Sequence, residues 1–171
     1  MKICKGDLLE SKDDVMVQQC NCVTIKAHGL SETISKRYPY ANIYSKRISK
    51  SANRAKTPET PGTCIISQQF DKPFVAALLS QICPGKPGQW CKVYDIDPKL
   101  DDAASRLKYF KSSLKDLLST CIKENWKSVS FPFKIGCGLA GGNWLLYFEL
   151  IKEFELQGRE FGITVTIWKN C

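Results

Sequence analysis

At 171 residues the chain is the size of one domain and long enough to bury a proper core. Its composition, 43% hydrophobic and 25% charged, is that of a soluble globular protein and excludes a low-complexity or disordered chain. No apolar run approaches a membrane span. The formal charge of +8 favours anionic partners without choosing among phosphate-bearing small molecules, polyanions and nucleic acid.

In chain order, residues 1–4 and 15–19 read as short strands flanking a turn at Gly6-Asp7-Leu8. The loop "NCVTIKAHG" leads into an amphipathic helix from about Leu30 to Arg37. Pro39 ends that helix, and "YANIYSKRISKSA" resumes as a second helical stretch. After the loop "NRAKTPETPG" come two β-rich runs, "TCIISQQ" and "FVAALLSQI", joined by "FDKP" as in a hairpin. "CPGKPGQWCKVYDIDPK" is a long irregular connection, a place where function often resides. The best helix runs from about Asp101 to Glu124, with Leu107, Phe110, Leu114, Leu117, Leu118 and Cys121 on one face. "SVSFPFKI" is a strand, "WLLYFELIKEFEL" a helix and "GITVTIW" a closing strand. The alternation predicts an α/β fold, a three-layer α/β/α sandwich. The N-terminal strand pair and the 63–82 hairpin make its central sheet mixed. No internal boundary appears, so residues 1–171 are expected to form one domain.

The start, "MKICKGDLLE", lacks the apolar middle of a signal peptide, which places the chain in the cytosol or nucleus. The nine cysteines are odd in number and several sit in strand-like or helical apolar runs (Cys64, Cys83, Cys121), so they read as reduced thiols packed in the core. Cys20 and Cys22 are too close for a zinc pair and His28 is the lone histidine, so neither a metal nor a cofactor is expected. The basic run Lys46, Arg47, Lys50, Arg54 and Lys56 is either a solvated face or an anion-attracting surface.

"FKIGCGLAGGNW" places four glycines, Gly136, Gly138, Gly141 and Gly142, within residues 136–142. A P-loop fails here, because Gly142 stands where the phosphate-binding lysine belongs and Asn143 where the magnesium-binding hydroxyl belongs. A dinucleotide fold also fails, because only one helix and one strand follow and no acid is placed to hold a ribose. What survives is the physics: glycines at a strand end let backbone amides approach a phosphate, and the next helix would aim its positive end there.

A second irregular segment, "QQCNCVTIKAHGLSETISKRYPYA", follows another buried strand and carries Asn21. Together with "KGDLL" and "IGCGLAGGNW", it resembles the macro domain family of ADP-ribose-binding modules, in order along nearly the whole chain. The nearest branch by pattern contains terminal ADP-ribose hydrolases and ADP-ribose-1″-phosphate phosphatases. The resemblance implies that Asp7 reads the adenine amino group with Leu8 beside it, and that Asn21 contacts the distal ribose. It also implies that Ala27, His28, Gly29 and Leu30 line the phosphates on one side. Gly136, Cys137, Gly138, Leu139, Ala140 and Gly141 would wrap the diphosphate and distal ribose on the other.

The chain departs from that branch where catalysis is concerned. The lysine and aspartate of the terminal hydrolases fall at Gln81 and Ala140, and the phosphatase histidine falls at Gln18. Asn21 and His28 are the residues left to position or activate a water. Three functions stay open: a monomeric reader of ADP-ribose or ADP-ribosylated macromolecules, a slow hydrolase of ADP-ribose-1″-phosphate or related esters, and a basic nucleic-acid-binding domain. No membrane partner is expected.

Overall fold

The computed structural model describes residues 1–170. Six strands form one sheet: β1 (Lys2–Lys5), β2 (Val15–Gln19), β5 (Cys64–Ser67), β6 (Phe74–Leu78), β7 (Ser128–Pro132) and β8 (Thr164–Lys169), in the order β1-β8-β7-β2-β6-β5. The pairings β1–β8, β8–β7, β7–β2 and β2–β6 are parallel, and β5–β6 is antiparallel. The sheet is therefore mixed through the β5–β6 hairpin alone. The two N-terminal strands do not pair with each other: β1 joins β8 at the far edge, and the connection 6–14 is shorter than the crossover of about a dozen residues that parallel neighbours need.

Alternating side chains divide the sheet's two faces. Val15, Val17, Ala76 and Leu78 face the long helices α2 (Ala103–Glu124) and α3 (Trp144–Arg159) through Phe110, Leu114, Leu117, Tyr147, Ile151 and Phe154. Met16 and Val75 face the opposite way and pack with Leu8, Leu9, Ala41 and Ile34 of α1 (Leu30–Arg37). A third cluster, including Cys20, Cys22, Tyr44, Leu79, Cys83 and Cys91, lies beneath the long connection after β6. The described cysteines are all free thiols. Among the described residues no helix is long and apolar enough to cross a membrane.

Local chemistry sets the helix limits. Asp102 caps α2 by accepting from the Ser105 amide at 2.7 Å, and Asn125 ends it in the left-handed conformation. Asp101 thus lies outside the helix rather than in its first turn. The stretch 40–52 is not a second helix. It forms 3-10 turns at Pro39–Ala41 and Tyr44–Lys46, then the short antiparallel pair β3 (Ser49–Ser51) and β4 (Arg54–Ala55). Its basic residues make contacts a helix would not allow: Arg47 turns inward to backbone carbonyls, and Arg54 bonds Asp95 and the Tyr94 carbonyl.

Candidate functional site

The carboxyl ends of β2, β6 and β7 lie side by side, and the segments leaving them enclose a cavity of about 410 Å3. Gln19 and Asn21 line it after β2, residues 28–31 at the start of α1, Gln81, Pro84 and Gly85 after β6, and residues 132–140 after β7. Clefts outside the carboxyl ends of parallel strands are where α/β sheets hold ligands.

The first wall is held by side chains. The Asn21 amide donates to the Tyr44 hydroxyl at 3.0 Å, and Asn21 Oδ1 accepts from the Val23 and Thr24 amides at 3.0 Å and from Thr24 Oγ1 at 3.2 Å. Arg47 stacks on the Tyr44 ring and donates to the carbonyls of Asn21 (2.6 Å) and Thr24 (2.7 Å). With Oδ1 saturated, Asn21 can offer the cavity only its Nδ2 hydrogens. It can donate to a ligand oxygen, but it cannot take a proton from an attacking water. Burial pushes the Tyr44 phenol well above its ordinary pKa, so it stays neutral.

At the end of this wall the chain enters α1 through Gly29, whose φ is +59° and which brings no side-chain cap. Gly29, Leu30 and Ser31 line the cavity, so the orphan amides of the first turn and the positive end of α1 open onto it. A Cβ at Gly29 would stand 3.3 Å from the Leu139 side chain of the opposite wall. His28 sits exposed beside Gly29.

The glycines of the second wall do two different things. A Cβ at Gly136 would stand 2.7 Å from Gln19 Oε1 and 2.8 Å from the Tyr147 ring, and φ there is +74°. A Cβ at Gly142 would meet the same ring at 2.7 Å and the Gly136 carbonyl at 2.6 Å. These two are required by packing. Gly138 has nothing within 4 Å of its Cβ position and lines the cavity. Three of the loop's carbonyls are engaged: Gly142 donates to Gly136, Gly141 to Gly138, and Arg106 to Ala140. The amides of Gly138, Leu139 and Ala140 have no acceptor among the described residues. Three successive amides without acceptors beside a cavity are donors of the kind that bind an anion. The positive helix end at this cavity belongs to α1 and not, as the glycine run suggests, to α3. Asn143 caps α3 by accepting from the Leu145 amide at 3.1 Å, and neither Asn143 nor Trp144 lines the cavity.

The remaining wall is a chain of carboxamides. Gln19 Nε2 donates to Gln81 Oε1 at 2.7 Å, and Gln81 Nε2 donates to the Cys83 carbonyl at 2.9 Å. That carbonyl fixes both amide orientations, leaving Gln19 Oε1 a buried acceptor without a partner among the described residues. Gln19 and Tyr44 are cavity residues that composition and motif do not single out, whereas Gln81 is the position the family comparison picked out. Behind them Arg106 and Asp101 form a buried ion pair: Nε to Oδ1 at 3.0 Å and Nη2 to Oδ2 at 2.8 Å. Asp101 also accepts from the Ile82 and Cys83 amides. The signal for this pair was present in the sequence. Arg106 lies four residues before Phe110 and eight before Leu114, a charge on the buried stripe of α2.

The other residues picked out by the sequence are placed as follows. Asp7 is exposed and outside the cavity lining, and its Oδ1 accepts from the Leu9 amide at 3.0 Å. Leu8 is buried against α1. Ala27 packs on the cluster containing Tyr44, and Gly141 approaches the Lys86 side chain rather than the cavity. No aspartate or glutamate is among the described residues lining the cavity. Burial pushes the Cys137 thiol up to about 11 despite the opposing pull of Lys134, so it is protonated at neutral pH. Cys83, Cys91 and Asp101 bring three ligand atoms within 4.8 Å of one another, but the Arg106 guanidinium already bonds both Asp101 oxygens.

No protein-family model and no curated protein sequence matches this chain. Solved structures do. The macrodomain of Mycobacterium tuberculosis DarG superposes with a TM-score of 0.71 at 22% identity, over 98% of this chain and 95% of that one. The macrodomain of Thermus aquaticus DarG gives 0.67 at 18%, over 99% and 97%. A Trypanosoma brucei macrodomain in complex with ADP-ribose gives 0.62 at 13%, over 98% of this chain and 62% of that one. The chain has the macrodomain fold.

Proposed function

We propose that this chain binds ADP-ribose, free or attached to a macromolecule, in the cavity at the carboxyl ends of β2, β6 and β7. One observation carries the reading: residues 138–140, whose amides have no acceptor among the described residues, and the uncapped N-terminus of α1 line one cavity with no carboxylate among its described lining residues. That arrangement suits a diphosphate, held by backbone donors from both sides. The Asn21 Nδ2 donor suits a ribose oxygen, in line with the contact implied by the resemblance. The T. brucei macrodomain and Thermosipho africanus DarTG, both similar in fold, have been solved in complex with ADP-ribose, which supports the ligand class.

The same residues favour a reader over an efficient hydrolase. Gln81 has an amide where a covalent route needs an amine, and Ala140 has a methyl where an acid–base group would stand. Asn21 can only donate, and Cys137 is held protonated. His28 supplies the one imidazole in the cavity lining. Slow hydrolysis of ADP-ribose-1″-phosphate or an acetyl ester, through a water placed by Asn21 and His28, is the activity that remains chemically open. Of the basic run, Arg47 is withdrawn from the surface by its contacts to the Asn21 and Thr24 carbonyls, which weakens a nucleic-acid-binding role for that run.

Calorimetric titration with ADP-ribose, AMP and NAD tests the reading. ADP-ribose should bind in the micromolar range and more tightly than AMP, which lacks the diphosphate and distal ribose. Equal affinities for the two, or no heat from either, would overturn it. Release of ADP-ribose from glutamate-linked protein should be undetectable.

A further inference from the structure

Arg106 holds together everything behind the cavity. It is 1% exposed and donates to five acceptor groups on three segments: the Asp101 carboxylate and the carbonyls of Cys83, Gly85, Lys86 and Ala140. Two of these contacts matter most. Its Nη1 donates to Gly85 at 2.7 Å and to Ala140 at 3.2 Å, so a single nitrogen ties the connection after β6 to the glycine loop after β7. Both segments line the cavity.

We infer that Arg106 is a positioning residue for ligand binding: by holding the Ala140 carbonyl it fixes the turn of the glycine loop in which the amides of Gly138, Leu139 and Ala140 stay free for an anion. A peptide's N–H and C=O point in opposite directions, so a loop can present amides on one side only if its carbonyls are satisfied on the other. In residues 136–142 the carbonyls of Gly136 and Gly138 are satisfied within the loop itself, by Gly142 and Gly141. The Ala140 carbonyl is satisfied from α2, by Arg106; the N–H of that same peptide, that of Gly141, donates to the Gly138 carbonyl, whose own peptide carries the free Leu139 N–H. A lysine can keep the charge opposite Asp101 but lacks the planar fork that reaches Asp101, Gly85 and Ala140 together. The ion pair thus sets the shape of the anion site, without its charge touching the ligand. The inference rests on the reading of this cavity as an ADP-ribose site.

The experiment compares wild type with Arg106→Lys by ADP-ribose and AMP calorimetry, and by amide NMR of the ligand-free proteins. In the folded variant the Gly138–Ala140 amide signals should move. ADP-ribose affinity should fall roughly tenfold, as expected for losing one or two amide–phosphate hydrogen bonds, and the preference for ADP-ribose over AMP should shrink. A folded Arg106→Lys with unmoved 138–140 signals and an unchanged preference overturns the inference. Should the variant not fold, the Arg106 guanidinium signals of wild type decide: they should shift on adding ADP-ribose, and unmoved signals overturn it. A wild type that binds no ADP-ribose defeats the functional reading. The loop-positioning claim then stands or falls on the amide signals of the ligand-free variant or, if that variant is unfolded, on whether inorganic pyrophosphate moves the wild-type guanidinium signals.

Discussion

The two walls of the cavity reach a similar result by different means. The wall after β2 is fixed by side chains: Asn21 folds back on its own loop, and Arg47 and Tyr44 hold it from behind. The wall after β7 is fixed by backbone: Gly136 and Gly142 press on Tyr147, and the carbonyls of Gly136, Gly138 and Ala140 are satisfied inside the loop or by Arg106. In the first wall one residue, Asn21, both supports the loop and faces the ligand. In the second the tasks are divided, so holding and binding can be separated by mutation.

The sharpest break in the comparison is Gly138→Glu. It puts a carboxylate where the diphosphate should lie, and nothing within 4 Å of the Cβ position opposes it in the empty protein. Like charges in close juxtaposition cost several kcal/mol. ADP-ribose binding should vanish from calorimetry while the thermal midpoint barely moves. Normal binding would show that the loop is only a turn.

Gly136→Ala is the converse. The new methyl would meet Gln19 Oε1 and Tyr147 in a left-handed backbone conformation, costing about 3 kcal/mol of stability. Chemical denaturation should show that loss, and a variant as stable as wild type would contradict the packing role.

In the first wall, Asn21→Asp retains an oxygen for the Val23 and Thr24 amides but removes the Nδ2 donor and adds a charge. Affinity for ADP-ribose should fall by about 2 kcal/mol with a smaller change in stability. Loss of stability alone would mean that Asn21 serves the loop and not the ligand.

Asp7 lies outside both walls, so two substitutions are needed. Asp7→Ala should cost about 1 kcal/mol of stability through the lost cap on Leu9. It should also weaken ADP-ribose binding by about 1.5–3 kcal/mol, if the carboxylate reads adenine. Asp7→Asn keeps a capping oxygen and isolates the charge. Unchanged affinity in both variants would leave Asp7 as a cap only.

The smallest expected effect is that of salt. Affinity for ADP-ribose should change little between 50 and about 200 mM salt if backbone amides hold the phosphates, whereas lysine-driven binding would weaken steeply over that range.

What the sequence alone determined was local. Hydrophobic periodicity placed α2, α3 and the strands, because burying one face is a local pattern with a fixed repeat. The glycine run and the "CN…GL" loop marked the segments that line the cavity, because backbone approach and sharp turns demand particular residues. Tertiary structure decided the rest. Strand order was hidden, since parallel pairing joins residues far apart, and β1 reached β8 rather than β2. The stretch 40–52 read as a second helix, while in the fold it forms turns and Arg47 points inward to hold Asn21. Which glycines are packed and which is open depended on Tyr147, and which helix end faces the cavity depended on Asn143 capping α3. The spacing of Arg106 puts it on the buried stripe of α2, but spacing does not name its partners. Only the assembled fold brought Asp101 and four carbonyls around it, since a buried charge is tolerable only when its partners arrive from several segments at once.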